Sequence, residues 1–170
     1  GTIANHYKTK GLDVLITALG QDALLRDTPV IVIGDGPERA ALERQIADAK
    51  LGNIHLVGRI DCANRYLRAF DLFVLPSRKE GMPIALLEAM TVGVPAVAAN
   101  AGATGELIEH EKTGLLVPTE NPHALGDALR TALTHPEEAA AGAAAAKKKA
   151  GLYTLSRMVE ETKTLYRSLL

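Results

Sequence analysis

A single cysteine, Cys62, is all the thiol chemistry this chain has, so no disulfide can form within it, and that scarcity fits a reducing compartment. Net charge is nearly absent too. The 19 Lys and Arg against 20 Asp and Glu leave a formal -1, so no overall field draws the protein to nucleic acid or to an anionic membrane. A local basic pocket stays compatible with that balance. Apolar runs fall well short of the roughly 18 residues that suggest a membrane span, and no charged segment followed by an apolar one opens the chain as a secretory signal would. Internal repeats and Ser/Gly linkers are missing as well. The 170 residues fit one domain of about 100–200 residues with its own core. The expectation is a soluble, cytoplasmic, single domain over residues 1–170.

What is present is an alternation. "PVIVIG" (29–34), "NIHLVG" (53–58), "DLFVLP" (71–76), "VPAVAA" (94–99) and "GLLVP" (114–118) read as buried strands bounded by Gly, Pro, Asn and Asp. Between them lie "LDVLITAL", "ERAALERQIADAK", "ANRYLRAF" and "PIALLEAMTV", with apolar residues three and four apart. Strand and helix in strict turn predict an α/β fold, a Rossmann-like parallel sheet of about six strands with helices on both faces. The first strand is clipped, since "GTIA" is all that precedes the helix beginning near Gly11. From Pro122 the pattern is helical to the end, and Lys147, Lys148 and Lys149 near a helix C-terminus complement its dipole as a solvated end.

In such sheets ligands collect beyond the carboxyl ends of the strands. Two strand-to-helix loops therefore compete. In "VIGDGPERAALE" the third glycine of a dinucleotide fingerprint is replaced by Arg39, and a tight turn opening a helix at Pro37 accounts for Gly34 and Gly36 without a ligand. "PSRKEGMPIALLEAM" (76–90) is richer. Pro83 suits the first helical position, Gly81 lets the backbone approach a ligand, and free N–H groups of Met82, Ile84 and Ala85 at the positive end of a helix dipole suit a phosphate. At about 100° per residue Pro83, Leu86, Leu87 and Met90 form a buried stripe with Glu88 at its margin. Glu80 and Glu88 can accept hydrogen bonds from sugar hydroxyls, and Glu80 can also stabilise positive charge that develops on a sugar. Ordinary exposed acids on a capped helix explain the same spacing. Lys10, immediately before Gly11, is the cation candidate for a phosphate, with Lys8 as competitor. Spacing among the five histidines favours neither a metal nor a catalytic base.

Taken in order, "KGLDVLITAL", "VIGDGPERAALE", "IHLVGR", "FDLFVLPSRKEGMPIALLEAM", "GVPAVAA", "ELIEHEKTGLLVP" and the terminal "YRSLL" resemble the C-terminal, donor-binding half of a retaining glycosyltransferase of family 4, with the two-domain GT-B architecture. The acid, seven residues, acid element in "EGMPIALLE" is that family's signature. The resemblance implies a UDP-, GDP- or ADP-sugar donor and no metal or other cofactor. Glu80 would meet the transferred sugar, Glu88 the ribose hydroxyls, and the amides from Gly81 and Met82 to Ile84 and Ala85 the distal phosphate. Lys10 would neutralise the leaving diphosphate, and Gly58, Arg59 and Ile60 would lie against the base.

Two departures stand out. The family often has Gly-Arg where this chain reads Gly1-Thr2, so Thr2 takes the place of a second cation unless Arg78 or Lys79 compensates. The usual Gly-Gly before the acid is altered in "NAGATGELIEH", where Gly102 and Gly105 remain fit for close backbone approach. The N-terminal acceptor domain of the family is absent from these 170 residues, so the sequence predicts a fragment unable to transfer sugar efficiently alone. The acceptor, a glycan, lipid or small molecule, would come through that missing half, with peripheral membrane association of the whole enzyme left open. A sugar nucleotide 2-epimerase domain and a non-catalytic nucleotide-binding module are the alternatives.

Overall fold

The computed structural model describes residues 1–169. Its strands are short: β1 (Thr2–Ile3), β2 (Val30–Ile33), β3 (Ile54–Gly58), β4 (Phe73–Leu75), β5 (Ala96–Ala99) and β6 (Leu115–Val117). They form two parallel ladders, β1-β2-β3 and β4-β5-β6. Gly1 joins them. Its main-chain nitrogen donates to Leu72 O at 2.7 Å, and its carbonyl accepts from Val74 N at 3.0 Å. The strands thus run β3-β2-β1-β4-β5-β6, the doubly wound Rossmann order, with the winding reversed between β1 and β4.

Successive side chains of a strand go to opposite sides; the inner strands bury both faces, while β3 leaves His55 and Val57 exposed on one. Val74 and Val97 join one apolar cluster, built with Leu12, Leu15 and Leu19 of α1 (Leu12–Gln21), Leu42 of α3 (Arg39–Asp48), and Leu125 and Leu129 of α6 (Pro122–Thr134). Phe73, Leu75, Ala96 and Ala98 join the other, with Leu86, Ala89 and Met90 of α4 (Ile84–Val92) and Ala146 and Ala150 of α7 (Pro136–Ala150). Alanine on β5 and α7 keeps the second layer thin. A last helix, α8 (Leu155–Ser168), carries no buried residue. Helix starts follow local chemistry: Asn121 Oδ1 accepts from Ala124 N just before Pro122, and Thr154 Oγ1 from Arg157 N.

The structure adds two short helices that periodicity does not predict, α2 (Ala23–Asp27) and α5 (Thr104–Leu107). It also changes one. Residues 63–70, expected as a helix, form a 3-10 helix at Ala63–Ala69, entered through Cys62 in the left-handed region (φ 54°). Leu67 is its one buried residue, too little apolar face to hold a regular α-helix.

The segment between β4 and α4, residues 76–83, is gripped from two sides by glycine. A Cβ on Gly11 would lie 2.0 Å from the Pro76 carbonyl oxygen, and one on Gly102 1.8 Å from that of Glu80. Both glycines have positive φ, 63° and 54°. Gly11→Ala meets a left-handed penalty of about 1–2 kcal/mol and an immovable main-chain oxygen, so its urea midpoint should fall clearly, whereas Gly52→Ala, with open space around it, should stay near wild type. Equal midpoints for the two variants would show that the grip is not there.

Candidate functional site

At the carboxyl ends of β1, β2 and β3 the reversal of winding opens a cleft of about 540 Å³. Ile3, Ala4 and Asn5 leave β1 along its floor, Ile33 and Gly34 end β2, and Arg59, Ile60 and Ala63 follow β3. Ile84 and Ala85, the first residues of α4, close it together with Lys10. Five of the residues singled out from sequence, Lys10, Arg59, Ile60, Ile84 and Ala85, thus share one cavity wall. A second cavity, of about 360 Å³, opens at the amino ends of β5 and β6 against α6 and α7, the edge of a parallel sheet away from which ligands collect.

No side chain caps α4. Among the described residues the main-chain N–H groups of Met82, Ile84 and Ala85 donate to no protein acceptor, and Leu87 N is the first to bond back, to Pro83 O at 3.1 Å. Pro83 is itself the N-cap (φ -76°, ψ 87°) rather than the first helical residue; having no N–H, it leaves the donors on either side of it free. Gly81 and Met82 are exposed in the loop that leads in. Unpaired donors and the dipole of a nine-residue helix make this end attractive to an anion.

Glu80 reaches back from that loop. Its Oε1 accepts from Lys10 Nζ at 2.8 Å and from Ser77 Oγ at 2.6 Å. With its side chain only 7% exposed and that of Lys10 28%, the pair is held in a partly desolvated place. Sequence reasoning gave Lys10 to a phosphate and Glu80 to a sugar; in the fold the two pair with each other. Glu88, half-buried one turn beyond Ile84, accepts from Asn64 Nδ2 at 3.2 Å. The stripe of α4 is Pro83, Leu86, Ala89 and Met90, with Leu87 half-buried beside Glu88 instead of inside it.

Gly58 ends β3 with φ 80°, and its carbonyl accepts from Gly34 N at 2.9 Å. Gly34 and Gly36 serve packing first: a Cβ on either would strike the main chain of Ala4 or of His6, in line with a tight-turn role, although Gly34 also lines the cleft. Thr2 is not among the residues that line the cleft. It is fully buried in β1, its hydroxyl without a hydrogen-bond partner, so a contact from its side chain to a ligand in the cleft has no geometry to act through.

Arg78 does not replace the missing cation. Its Nη1 and Nη2 form a fork on Asp13 at 2.7 and 2.8 Å, Nε donates to Glu120 Oε1 at 2.9 Å, and Nη1 also reaches Lys8 O at 2.7 Å. The side chain straps the loop after β4 to the start of α1. Its hydrogen bonds to Asp13 hold that carboxyl below the usual carboxylate range. Lys79 remains exposed.

Ser77, Asn64 and Asn5 are the site residues that sequence reasoning passed over, and His6 joins them. His6 is fully buried beneath the loop from β1, neither ring nitrogen has a partner, and burial lowers its pKa. A serine three residues before a loop acid was the one local signal available.

Comparison with known proteins finds relatives for both the sequence and the fold. A family model described as "Glycosyl transferases group 1" matches residues 2–149. The chain is 36% identical over 135 residues to D-rhamnosyltransferase WbpZ of Pseudomonas aeruginosa, covering 76% of this chain and 34% of that protein. Among solved structures, Anabaena Alr3699/HepE in complex with UDP-glucose superposes with a TM-score of 0.89 at 26% identity, over 100% of this chain and 48% of that one. The C-terminal domain of a glycosyl transferase group 1 family protein, LpcC, from Francisella tularensis superposes with a TM-score of 0.76 at 27% identity, over 87% and 82%. The chain spans about a third to a half of the length of the curated relatives it matches.

Because Asp13 has a depressed pKa when folded, its pairing with Arg78 adds stability above the ordinary aspartate pKa and loses it as pH falls through the folded value. Arg78→Met should therefore be less stable than wild type at pH 7, and the gap should narrow below about pH 4. Urea midpoints at both pH values read this directly; a gap that stays constant would mean the strap works through packing alone.

Proposed function

This chain belongs to the glycosyl transferases group 1 family, and we propose that its cleft is the donor site of a retaining sugar transferase, holding a nucleoside diphosphate sugar across the β1–β4 switch. One observation carries the reading. Lys10 and the first residues of α4, Ile84 and Ala85, with their unpaired amides, line the cleft, and the carboxylate of Glu80 is joined to that edge by its hydrogen bond from Lys10. A cation and free N–H groups suit a diphosphate, and an acid beside them suits hydroxyls. The likeness to a protein solved with UDP-glucose supports it.

In this reading the base lies against Gly58, Arg59 and Ile60, and Glu88, steadied by Asn64, accepts from the ribose hydroxyls. The amides of Gly81, Met82, Ile84 and Ala85 take the distal phosphate, while Lys10 neutralises the charge on the leaving diphosphate without a metal ion. Glu80 accepts from the transferred sugar and faces the positive charge that grows as the glycosidic bond to the diphosphate lengthens. The acceptor attacks from the face the diphosphate leaves, so configuration is kept. Losing one such electrostatic contact costs about 2.7–4 kcal/mol of barrier. The acceptor, whether glycan, lipid or small molecule, is brought by a further domain of the whole enzyme, which works in the cytoplasm or on its membrane face.

Titration calorimetry of this chain with UDP, GDP and ADP should find one of them binding well ahead of the others, and Lys10→Ala should weaken that binding by about tenfold. Binding to none of the three would contradict the donor site. In the whole enzyme Glu80→Gln should lower turnover more than donor affinity, and Glu88→Ala the reverse. Equal effects on both parameters in both variants would contradict this division of roles.

A further inference from the structure

The two hydrogen bonds on Glu80 fall on a single oxygen. Lys10 Nζ and Ser77 Oγ both donate to Oε1, whose two lone pairs are then fully used. Among the described residues Oε2 accepts nothing. One half of the carboxylate is therefore a fixed hinge and the other half is spare accepting capacity. Of the two donors, Lys10 lines the cleft and is partly exposed, so a diphosphate there draws it away. Ser77 has no such freedom: it is fully buried, Gly11 packs against the Pro76 carbonyl beside it, and Arg78 N, next in the chain, donates to Thr9 O at 2.8 Å.

Resting on the donor-site reading, we propose that Ser77 is the positioning residue for sugar recognition: it alone keeps Oε1 of Glu80 anchored once diphosphate takes Lys10, and so presents Oε2 to a hydroxyl of the sugar. Buried as it is, Ser77 never touches the donor. The arrangement also makes Glu80 and the diphosphate competitors for one lysine. An incoming anion exchanges a carboxylate partner for a phosphate partner at Lys10, and the exchange leaves Ser77 as the one donor that holds Oε1 while Oε2 faces the sugar.

The test compares each nucleotide sugar with its own nucleoside diphosphate on this chain, using UDP-glucose and UDP, GDP-mannose and GDP, and ADP-glucose and ADP. The gain in affinity from the sugar isolates what Glu80 does. Ser77→Ala should keep diphosphate affinity within about twofold of wild type while cutting the sugar's gain by about tenfold, the size of a hydrogen bond to a charged group. Ser77→Cys, similar in shape but a weak donor, should behave like Ser77→Ala, and Ser77→Thr should restore the gain. Glu80→Gln should bind the bare diphosphate more tightly than wild type because the rival for Lys10 is gone, and adding Ser77→Ala to it should cost nothing further. Equal losses for diphosphate and nucleotide sugar, an undiminished loss in the Glu80→Gln background, or unfolding of both the Ala and Cys variants would make Ser77 merely structural and overturn the proposal. Failure of the wild-type chain to bind any diphosphate would instead overturn the donor site, whereas diphosphate binding with no gain from any sugar would overturn the role of Ser77 alone.

Discussion

The constraint on which the site depends is the change of winding direction between β1 and β4. Parallel strands force their crossover helices onto one face or the other, and where the direction changes, adjacent helices diverge instead of packing together. Gly1 makes the change possible by bonding β1 directly to β4. Lys10 near the start of the first connection and Glu80 in the loop after the fourth strand then face each other although 70 residues separate them. The cleft is a by-product of topology; its chemistry is local sequence placed at its rim.

A negative side chain beside an anion site is an electrostatic contradiction, and the structure resolves it by sharing. Glu80 is almost covered, and an unpaired carboxylate in such a place carries a large desolvation cost. Lys10 and Ser77 offset that cost. In the donor-site reading proposed above, a nucleotide sugar would take Lys10 with its diphosphate and offer sugar hydroxyls to the acid in return, so the carboxylate would keep hydrogen-bond partners throughout.

Most of the fold is legible in the residues because strands buried in a parallel sheet are short apolar runs between turn residues; the runs at 29–34, 53–58, 71–76, 94–99 and 114–118 each contain a strand. Clustering of Lys10 with the start of α4 was equally readable, since the winding rule sends both to one sheet edge. What escaped depended on pairing through space. Arg78 looks like a spare cation from its neighbours in the chain, and only the fold brings Asp13 to it from 65 residues away. Asn64 reaches Glu88 across 24 residues, from a segment whose 3-10 winding no helical period foretells. Pro83 missed its predicted position by one residue, the usual latitude at a helix end. Ser77 was local and went unread because a hydroxyl in a loop has many roles, and only its burial selects one.

The substitution at Thr2 carries the argument one step further. A threonine ends inside the fold, under the floor that Ile3 and Ala4 give the cleft, and its unpartnered hydroxyl adds nothing to the rim. Arg78 is held by two carboxylates and a carbonyl, so recruiting it to a ligand would undo the strap that fixes the loop bearing Glu80. Of the described residues lining the cleft, Lys10 and Arg59 are the cations, and Arg59 stands on the far, β3 side. Among the residues lining the cleft, positive potential on the α4 side therefore comes from one lysine and the amides of α4, with Lys79 exposed outside that lining. In the donor-site reading, sharing Lys10 between Glu80 and an anion would then weigh more than in a site lined by a second guanidinium, because a guanidinium there could hold the anion while the lysine stayed with the acid.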